Sequence, residues 1–247
     1  MRTLVVLPTY NEVENIGEVL ARTHAALPDC TVLVVDDASP DGTADQAEKL
    51  DAELGQIMVL RRAAKSGLGS AYRAGFRWGV DNGYQVVIEM DADLSHDPAA
   101  LPAMIAKLDS SQAGLVVGSR YVPGGEIPNW SWHRKALSKW GNRYAGFVLG
   151  LPVRDATSGF RVYRSDVFDR LGLDTVHADG YGFQIEMAYK VRGLGELVVE
   201  HPISFRDRER GISKMSGSIV VEALWMVTWW AIRDRVLRRR PRVQTAR

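Results

Sequence analysis

Short runs of apolar and β-branched residues alternate with longer segments of helical periodicity in the first half of this chain. The runs that predict strands lie at residues 3–7, 31–36, 57–60, 86–90 and 114–118. The segments that predict helices lie at residues 11–26, 41–54, 69–82 and 98–108. Strands that alternate with helices form βαβ units, in which the strands run parallel and helices flank the sheet. The pattern therefore predicts an α/β fold with a mostly parallel sheet.

A polar cluster follows each of four predicted strands, at residues 9–12, 36–37, 91–93 and 119–120. In open α/β sheets, ligands bind outside the carboxyl ends of the strands. Solvation alone does not explain why four strands deliver polar groups to one edge, so we expect a binding site there.

Asp91 and Asp93 are the most informative part of this edge. They follow a predicted strand and are separated by Ala92, so an extended backbone turns both carboxylates to the same side. Two carboxylates suit a hard divalent cation such as Mg²⁺ or Mn²⁺, which can hold the diphosphate of a nucleotide. Such a pair is common, and taken alone it more often marks a polar turn, in which Asp93 would cap the next segment.

Two further clusters offer contacts to a nucleotide. In the first, Pro8, Tyr10 and Glu12 belong to a turn that can place a flat ring under a base, although such a turn also suits a helix cap. In the second, either Asp36 or Asp37 can accept hydrogen bonds from a base or a ribose.

Lys65 and Gly67 lie just before a predicted helix. Backbone amides at a helix N-terminus attract phosphate, so this segment is a candidate for contact with the diphosphate. It is not a P-loop, because the Gly-Lys-Ser/Thr order is absent. No G-x-G-x-x-G follows the first predicted strand, which argues against a dinucleotide-dependent dehydrogenase.

The composition is that of one globular domain, with 247 residues of which 46% are hydrophobic and 25% charged. The net charge of +1 does not provide the broad basic surface of a nucleic-acid-binding protein. Cys30 is the sole cysteine, which excludes an internal disulfide and fits a reducing compartment; we expect it to be a small buried side chain.

The pattern changes after residue 120. Residues 121–132 predict a loop, 133–150 a helix that mixes basic and aromatic residues, 197–205 a strand, and 216–237 a long helix. We therefore expect a main region at 1–215 and a C-terminal helix with a basic tail at 216–247, both within a single domain.

The ordered motifs of the chain resemble those of the polyprenol-phosphate (dolichol-phosphate) mannose synthases, which are inverting family 2 glycosyltransferases. The motifs lie at residues 8–12, 35–43, 65–69, 91–93, 118–121, 155–161, 182–186 and 205–215. Together they cover nearly the whole chain and are far more specific than any one of them. The resemblance implies a GT-A fold for residues 1–215. It also implies an enzyme that moves mannose from GDP-mannose to a polyprenyl or dolichyl monophosphate, giving a β-linked product.

The resemblance further implies that Asp91 and Asp93 bind a divalent cation, Mg²⁺ or Mn²⁺. Relatives often carry a glutamine two residues after the second aspartate as a third ligand. Here that residue is Ser95, which is shorter, so either its hydroxyl or a water molecule completes the site. His96 follows, and we expect it on the surface or behind the metal ligands.

The remaining site residues are carried over from the same motifs. The resemblance implies catalytic roles for Asp93, Arg120 and Asp155, with Asp155 orienting hydroxyls of the acceptor or the sugar. The residues implied for the nucleotide sugar are Pro8, Tyr10, Glu12, Asp36, Asp37, Lys65, Gly67, Asp91, Ala92, Asp93 and Gln184. The residues implied for the lipid phosphate are Arg120, Arg134, Ser138, Arg208 and Lys214. A phosphate monoester is mostly dianionic at neutral pH, since its second pKa is about 6, and it requires cations rather than a general base.

A lipid acceptor requires contact with a membrane. Residues 219–232 are apolar but shorter than the ~20 residues of a spanning helix. An arginine-rich tail follows them, and tryptophans occur nearby at positions 130, 132, 140, 225, 229 and 230. These features favour a peripheral, interfacial C-terminal helix on the cytoplasmic face of a membrane, although the same helix could instead close the core. Some relatives add C-terminal transmembrane helices, which this sequence does not show. We therefore expect the protein to be peripheral or to use a membrane-anchor partner.

Two alternatives to this activity can be compared with the sequence. UDP-glucose as the donor would preserve the fold and mechanism, because few contacts set the preference for base and sugar. A non-catalytic binding subunit would have lost the aspartate pair or the arginine cluster, and both are present.

Overall fold

The computed structural model describes the backbone of residues 1–207 and 217–236, and the side chains of the last helix over residues 224–233. Strands β1–β7 are Thr3–Thr9, Thr31–Asp36, Ile57–Arg61, Val86–Glu89, Leu115–Ser119, Arg161–Arg164 and Val198–Pro202. Helices α1–α8 are Val13–Ala26, Thr43–Leu54, Leu68–Asp81, Leu101–Ser111, Trp132–Leu149, Asp166–Leu171, Gly180–Gly193 and Gly217–Val236. Short 3-10 helices span Pro98–Ala100 and Leu173–Thr175.

The strands form one sheet in the order β3-β2-β1-β4-β6-β5-β7. Strand β6 runs antiparallel to both of its neighbours, and the other neighbouring pairs are parallel. The predicted α/β fold with a mostly parallel sheet is therefore confirmed. The apolar pattern does not predict β6, because Arg161 interrupts it at a position that the fold buries completely.

The sheet separates two hydrophobic layers, as the alternation of side chains along β1 requires. Leu4 and Val6 belong to the layer that includes α3 and α7, whereas Val5 and Leu7 belong to the layer that includes α1 and α4. All four side chains are fully buried. Their burial on both faces fixes the register of β1 and holds its carboxyl end, at Thr9, at the sheet edge where the polar clusters meet.

The C-terminal part of the fold is a helical layer in which α8 packs against α5 and α7. The hydroxyls of Tyr144 on α5 and Thr228 on α8 share a 2.7 Å hydrogen bond, and Val227 is buried beside them. On its other side α8 exposes Trp225 and Trp229 to solvent. Within residues 1–207 and 217–236, no helix is both long and apolar enough to cross a membrane.

Candidate active site

A cavity of about 770 Å³ opens at the carboxyl ends of the parallel strands. Most of the predicted site residues line it, namely Pro8, Tyr10, Glu12, Asp37, Lys65, Gly67, Asp91, Ala92, Asp93, Ser95, Arg120, Arg134 and Gln184. Asp36, Ser138 and Asp155 do not line this cavity, and Arg208 and Lys214 lie outside the described residues. The strand ends thus bring together side chains that are far apart in the sequence.

The aspartate pair lines the cavity just after the end of β4. The Tyr72 hydroxyl donates to Asp91 Oδ1 at 2.9 Å, and the backbone amide of Ser95 donates to Asp93 Oδ1 at 3.0 Å. Asp93 is only 9% exposed, so its surroundings strengthen electrostatic interactions with a ligand. The two carboxylates are held in place by groups on α3 and on the following loop.

Three polar atoms near this pair are buried and have no hydrogen-bond partner: Ser95 Oγ, His96 Nδ1 and Gln184 Oε1. Burying such atoms is costly unless a ligand or water satisfies them. Oxygen donors beside two carboxylates match the preference of Mg²⁺ and Mn²⁺. Among the described residues, no group of three His, Cys, Asp or Glu side chains could hold a metal ion, so a cation here would depend on the aspartate pair and neutral donors.

His96 is buried in the wall of the cavity and does not lie on the outer surface. Its ring stacks on Phe160 at a centroid distance of 5.0 Å and meets Phe205 edge-on at 5.5 Å. Burial lowers the pKa of His96 to about 4, although the carboxylate of Asp93 opposes the shift. The imidazole is therefore neutral at physiological pH and can act as a hydrogen-bonding group without adding positive charge.

One side of the cavity is lined by residues that follow β1–β3. The Lys65 ammonium lies 4.2 Å from the centroid of the Tyr10 ring. Asp37 accepts a 2.6 Å hydrogen bond from Arg62 and a 3.1 Å hydrogen bond from the backbone amide of Ser66, so it also holds the segment that carries Lys65. Of the two candidates left open by the sequence, Asp37 is the one at the cavity.

Asp36 turns away from the cavity and serves the local backbone. Its carboxylate accepts hydrogen bonds from the hydroxyl of Thr9 at 2.9 Å and from the hydroxyl and amide of Ser39 at 2.6 and 2.9 Å. These bonds join the ends of β1 and β2. The placement favours a role in shaping the turns rather than a direct contact with the nucleotide.

Asp179, which directly precedes α7, contacts Gly67 and Gly69 at the start of α3. Its Oδ1 accepts a 2.8 Å hydrogen bond from the amide of Gly69. A Cβ on Gly69 would lie 2.7 Å from the carbonyl oxygen of Ala178, and a Cβ on Gly67 would overlap the Asp179 carboxylate. Gly67 also has a φ of +90°, which a side chain disfavours. Only glycine therefore fits this contact.

Arg120 and Asp155 form a buried ion pair beside the cavity. Arg120 donates to the two carboxylate oxygens at 2.7 Å each, and its backbone amide donates at 2.9 Å. Burial disfavours the charge on Arg120, but the Asp155 carboxylate outweighs this effect and raises the pKa of the guanidinium. Asp155 is completely buried behind Arg120 and lies outside the cavity lining. The structure thus favours a role through Arg120 over direct contact with the sugar.

Arg134, on α5, is the more accessible of the two cavity arginines. Its guanidinium lies 3.9 Å from the centroid of the Trp130 ring and 3.2 Å from Asp207. Trp130 also donates through Nε1 to Asp207 at 2.7 Å. Trp130 is only 8% exposed and lines the cavity, so it is part of the site and not of a membrane-facing surface.

Ser138 lies one helical turn after Arg134 and accepts a 2.7 Å hydrogen bond from Tyr121. It lines a second cavity of about 140 Å³, which shares Trp130, Arg134, Thr157 and Tyr181 with the first. The remaining lining is mainly apolar and comes from α5, α7 and α8: Leu137, Gly141, Asn142, Ala145, Ile185, Leu224 and Val227. The two cavities are therefore neighbours, and Ser138 lies on the apolar side.

A buried polar cluster supports the aspartate pair from below. Glu89 accepts hydrogen bonds from the Gln184 side chain and, at 3.0 Å, from the Tyr163 hydroxyl. Arg161 faces Glu89 across the β4–β6 pairing and donates to the carbonyl oxygens of Ala156, Ser158 and Gln184. Burial raises the pKa of Glu89 to about 7, against the opposing effects of Arg161, Gln184 and Tyr163.

Sequence reasoning missed Glu89, Asp179, Trp130 and Asp207 as parts of the site or its support. For Glu89, the available signal was a charged residue at the end of an apolar strand, next to the aspartate pair. For Trp130 and Asp207 there was no comparable signal, because their contact joins segments 77 residues apart.

A sequence profile that describes glycosyl transferase family 2 matches residues 4–172. This chain belongs to glycosyl transferase family 2. The predicted enzyme class, a glycosyltransferase, is thereby confirmed.

Several relatives of this family 2 chain are similar over nearly its whole length. Polyprenol monophosphomannose synthase of Mycolicibacterium smegmatis is 48% identical, over 97% of this chain and 90% of its own. Undecaprenyl-phosphate mannosyltransferase of Micrococcus luteus is 49% identical, over 95% of this chain and 96% of its own. Dolichol-phosphate mannosyltransferase of Pyrococcus furiosus is 35% identical, over 96% of this chain and 67% of its own. These relatives confirm the resemblance that the motifs predicted.

Solved glycosyltransferase structures share the fold of this family 2 chain. Mannosyltransferase PcManGT from Pyrobaculum calidifontis, in complex with GDP-Man and Mn²⁺, has a TM-score of 0.59 at 18% identity and covers 96% of this chain and 73% of its own. Glucosyl-3-phosphoglycerate synthase from Mycobacterium tuberculosis, in complex with Mn²⁺, UDP and glucosyl-3-phosphoglycerate, has a TM-score of 0.64 at 18% identity and covers 95% of this chain and 79% of its own. At such identities the likeness shows the fold alone, and it agrees with the predicted GT-A architecture.

Proposed function

We propose that this family 2 glycosyltransferase moves mannose from GDP-mannose to a polyprenyl monophosphate, with inversion at the anomeric carbon. The observation that carries the proposal is one cavity lined by the aspartate pair and by Arg120 and Arg134. The aspartates suit a nucleoside diphosphate with its cation, and the arginines suit an acceptor phosphate. The names of the three relatives above, which all describe mannose transfer involving a lipid phosphate or polyprenol, support the same assignment.

The donor nucleotide lies along the ends of β1–β3 in this proposal. The ring of Tyr10 offers a flat surface for the base, and Glu12 and Asp37 offer hydrogen-bond acceptors to base and ribose. Lys65, whose ammonium is held over the Tyr10 ring, is near enough to the same surface to bind the diphosphate as a point charge. The N-terminus of α3 behind Gly67 adds a favourable dipole.

Asp91 and Asp93 hold a divalent cation, Mg²⁺ or Mn²⁺, in this proposal, and Ser95 or a water molecule provides a further oxygen. A bound cation of this kind offsets the negative charge on the departing diphosphate. The unpartnered Ser95 hydroxyl, buried beside the pair, supports this assignment. Tyr72 and the Ser95 amide orient the two carboxylates before any ligand binds.

The acceptor phosphate lies between Arg120 and Arg134, and Arg208 and Lys214 belong to the same group of cations in this proposal. Arginines bind a phosphate dianion through paired hydrogen bonds and hold it without protonating it. The dianion itself is nucleophilic, so no general base is required. Asp155 fits this chemistry, because its carboxylate is fully engaged by Arg120 and is not available to remove a proton.

The apolar second cavity is a suitable place for the start of the prenyl chain. It adjoins the arginine side of the active-site cavity and is lined by Leu137, Ile185, Leu224 and Val227. Its volume of about 140 Å³ is small, so it would take the first isoprene carbons and not the whole lipid. The rest of the chain then remains in the bilayer.

The exposed aromatic residues of α5 and α8 form the surface that would contact a membrane. Trp132 and Phe147 on α5 are 79% and 84% exposed, and Trp225 and Trp229 on α8 stack on each other at 6.1 Å. Tryptophan favours the membrane interface, and a lipid acceptor requires such contact. We place the enzyme peripherally on the cytoplasmic side, where nucleotide sugars are made, with a membrane-anchor protein as a candidate partner.

The test is transfer from labelled GDP-mannose to polyprenyl phosphate in mixed vesicles, with UDP-glucose in parallel and with or without Mg²⁺ or Mn²⁺. We expect lipid-linked mannose that depends on the cation. Transfer from UDP-glucose alone would retain the chemistry and replace the donor. Absence of transfer from either donor, by folded protein with lipid present, would contradict the proposed function.

A further inference from the structure

Gln184 lines the active-site cavity although it is only 3% exposed. A Cβ on Gly159 would lie 3.4 Å from Gln184 Nε2 and 3.5 Å from Asp91 Oδ2, so Gln184 and Asp91 flank the same glycine. The amide of Gln184 has two ends with opposite hydrogen-bonding character, a carbonyl that accepts and an NH₂ that donates. Which end faces the cavity decides what kind of group this position can bind.

Glu89 determines the orientation of that amide. In the structure the end of Gln184 that contacts Glu89 is the NH₂ group, since Nε2 donates to Glu89 Oε1. The other carboxylate oxygen, Oε2, is occupied by the Tyr163 hydroxyl at 3.0 Å. Glu89 is completely buried and therefore has no competing interaction with bulk solvent.

The amide oxygen of Gln184 is left as a buried acceptor without a partner. An unsatisfied buried carbonyl is unfavourable, and it gains a hydrogen bond when a ligand brings an O–H group to it. The backbone below is fixed as well, because Arg161 donates to the carbonyl oxygens of Ser158 and Gln184 at 2.7 Å each. The acceptor is thus held in place before the ligand arrives.

We propose that Glu89 is a positioning residue that turns the Gln184 carbonyl toward the cavity, where it accepts a hydrogen bond from an O–H group of the bound donor complex. This inference rests on the proposed function, because it assigns a partner within the same site. The O–H group belongs either to the transferred sugar or to a water molecule on the cation. The chemistry is the same in both cases, and the experiment separates them.

The decisive variants exchange the two side chains. In Glu89→Gln, the oxygen of the new amide accepts from Tyr163 and its NH₂ faces residue 184. The Gln184 oxygen then has to turn toward residue 89 to accept, which leaves the Gln184 NH₂ facing the cavity. In Gln184→Glu, two carboxyl groups meet in a buried place. The double variant Glu89→Gln/Gln184→Glu restores a donor at 89, an acceptor facing the cavity and the original net charge.

A matched control comes from the same buried cluster. Tyr163→Phe removes the hydrogen bond to the other oxygen of Glu89 but leaves the contact between Glu89 and Gln184. It therefore disturbs the packing of the cluster without reversing the Gln184 amide. All variants are made in the full chain, and thermal unfolding establishes that each is folded at the assay temperature.

Binding of GDP-mannose and of GDP is measured by calorimetry with Mg²⁺ or Mn²⁺, alongside steady-state kinetics. Each single exchange should weaken GDP-mannose binding by about 10-fold, as expected when a buried polar pair is mismatched. The double variant should recover most of that loss, and Tyr163→Phe should bind like the unaltered protein. A loss for GDP-mannose but not for GDP identifies a sugar hydroxyl, whereas equal losses with a shifted cation titration identify the water.

The inference is overturned if both single variants bind GDP-mannose normally, if the double variant is as weak as the singles, or if Tyr163→Phe is as weak as Glu89→Gln. The last result would mean that the cluster only supports the fold. Failure of the proposed function gives a different result, because the unaltered protein would then show neither GDP-mannose binding nor transfer.

Discussion

Arg120 donates two side-chain hydrogen bonds of 2.7 Å to Asp155, whose carboxylate is completely buried. The Nε edge of the guanidinium is thus paired with Asp155, and the residue also lines the active-site cavity. The pair holds the Arg120 guanidinium in a fixed position at the cavity, which suits the proposed contact with the acceptor phosphate and which a solvent-exposed arginine would lack.

Replacing Asp155 with asparagine should destabilise the protein by about 3–5 kcal/mol, because it leaves a buried arginine without its counter-charge. Urea unfolding measures this loss, and acceptor kinetics should show a higher KM for the lipid phosphate. Asp166→Asn is the control, since its pairs with Arg164 and Arg170 are half exposed and should contribute at most about 1 kcal/mol. Equal stability losses in the two variants would contradict the importance of burial.

Replacing Asp91 or Asp93 with asparagine should reduce turnover by about 100-fold or more while the fold remains intact, because the loss of a carboxylate weakens binding of the cation that offsets the negative charge of the diphosphate. Transfer assays over a range of Mn²⁺ concentrations provide the measurement. Asp97→Asn is the matched control, since Asp97 is exposed in the same segment and caps the short 3-10 helix through the amide of Ala99. Normal turnover in either active-site variant would remove the metal assignment.

Replacing Gly69 with alanine should raise the KM for the donor and lower stability, because the added Cβ would lie 2.7 Å from a backbone oxygen and 2.8 Å from Asp179. Kinetics and thermal unfolding are the measurements. Gly17→Ala in α1 is the control, since a Cβ there would lie 3.7 Å from Leu50 of α2, which is an ordinary contact distance. This variant should stabilise α1 by about 0.5–1 kcal/mol. A tolerated alanine at 69 would show that the contact with Asp179 can relax.

Cys30 should resist thiol reagents in the native protein. It is only 1% exposed, and burial raises the pKa of the thiol to about 11. An unfolded thiol has a pKa of about 8.5, so the stability associated with the neutral thiol is complete below that pH and is lost as the pH rises toward 11. Reaction with a disulfide reagent at pH 8, with and without urea, measures the difference. Rapid labelling of the native protein would show that the site opens readily.

Replacing Trp225 and Trp229 together with alanine should weaken binding to anionic lipid vesicles without lowering the thermal stability, because both side chains are at least half exposed, at 66% and 51%. Vesicle sedimentation measures the binding. Met58→Ala with Leu197→Ala is the control, since these side chains are 47% and 57% exposed and belong to β3 and to the segment just before β7. An equal effect of the two pairs would indicate non-specific adsorption.

Local patterns were enough to predict most of the elements. The predicted strands and helices of the first half begin and end within three residues of those observed, because hydrophobic periodicity there matches burial. The pattern fails where burial is polar or contacts are long-range. Arg161 is fully buried in β6, and the backbone groups it satisfies cannot be identified from the sequence.

The same distinction applies to the site. The sequence places Asp91, Asp93, Tyr10 and Lys65 after predicted strands, and all four line the cavity. It does not separate Asp36 from Asp37, because adjacent residues of one turn face different directions and only the tertiary contacts decide between them. It assigns Trp130 to a membrane surface, because composition does not reveal that Asp207 holds this ring inside the site.

The contact between Asp179 and Gly69 joins two stretches of chain that otherwise contribute to different sides of the site. Residues up to 96 supply the side proposed for the donor, and residues from 120 onward supply most of the side proposed for the acceptor. A chimera that takes its first half from one homologue and its second half from another would inherit both surfaces intact but would have to satisfy this contact across the junction. A chimera can therefore exchange the acceptor preference of two homologues only if the residue at 179 from one homologue is compatible with the glycines at 67 and 69 from the other.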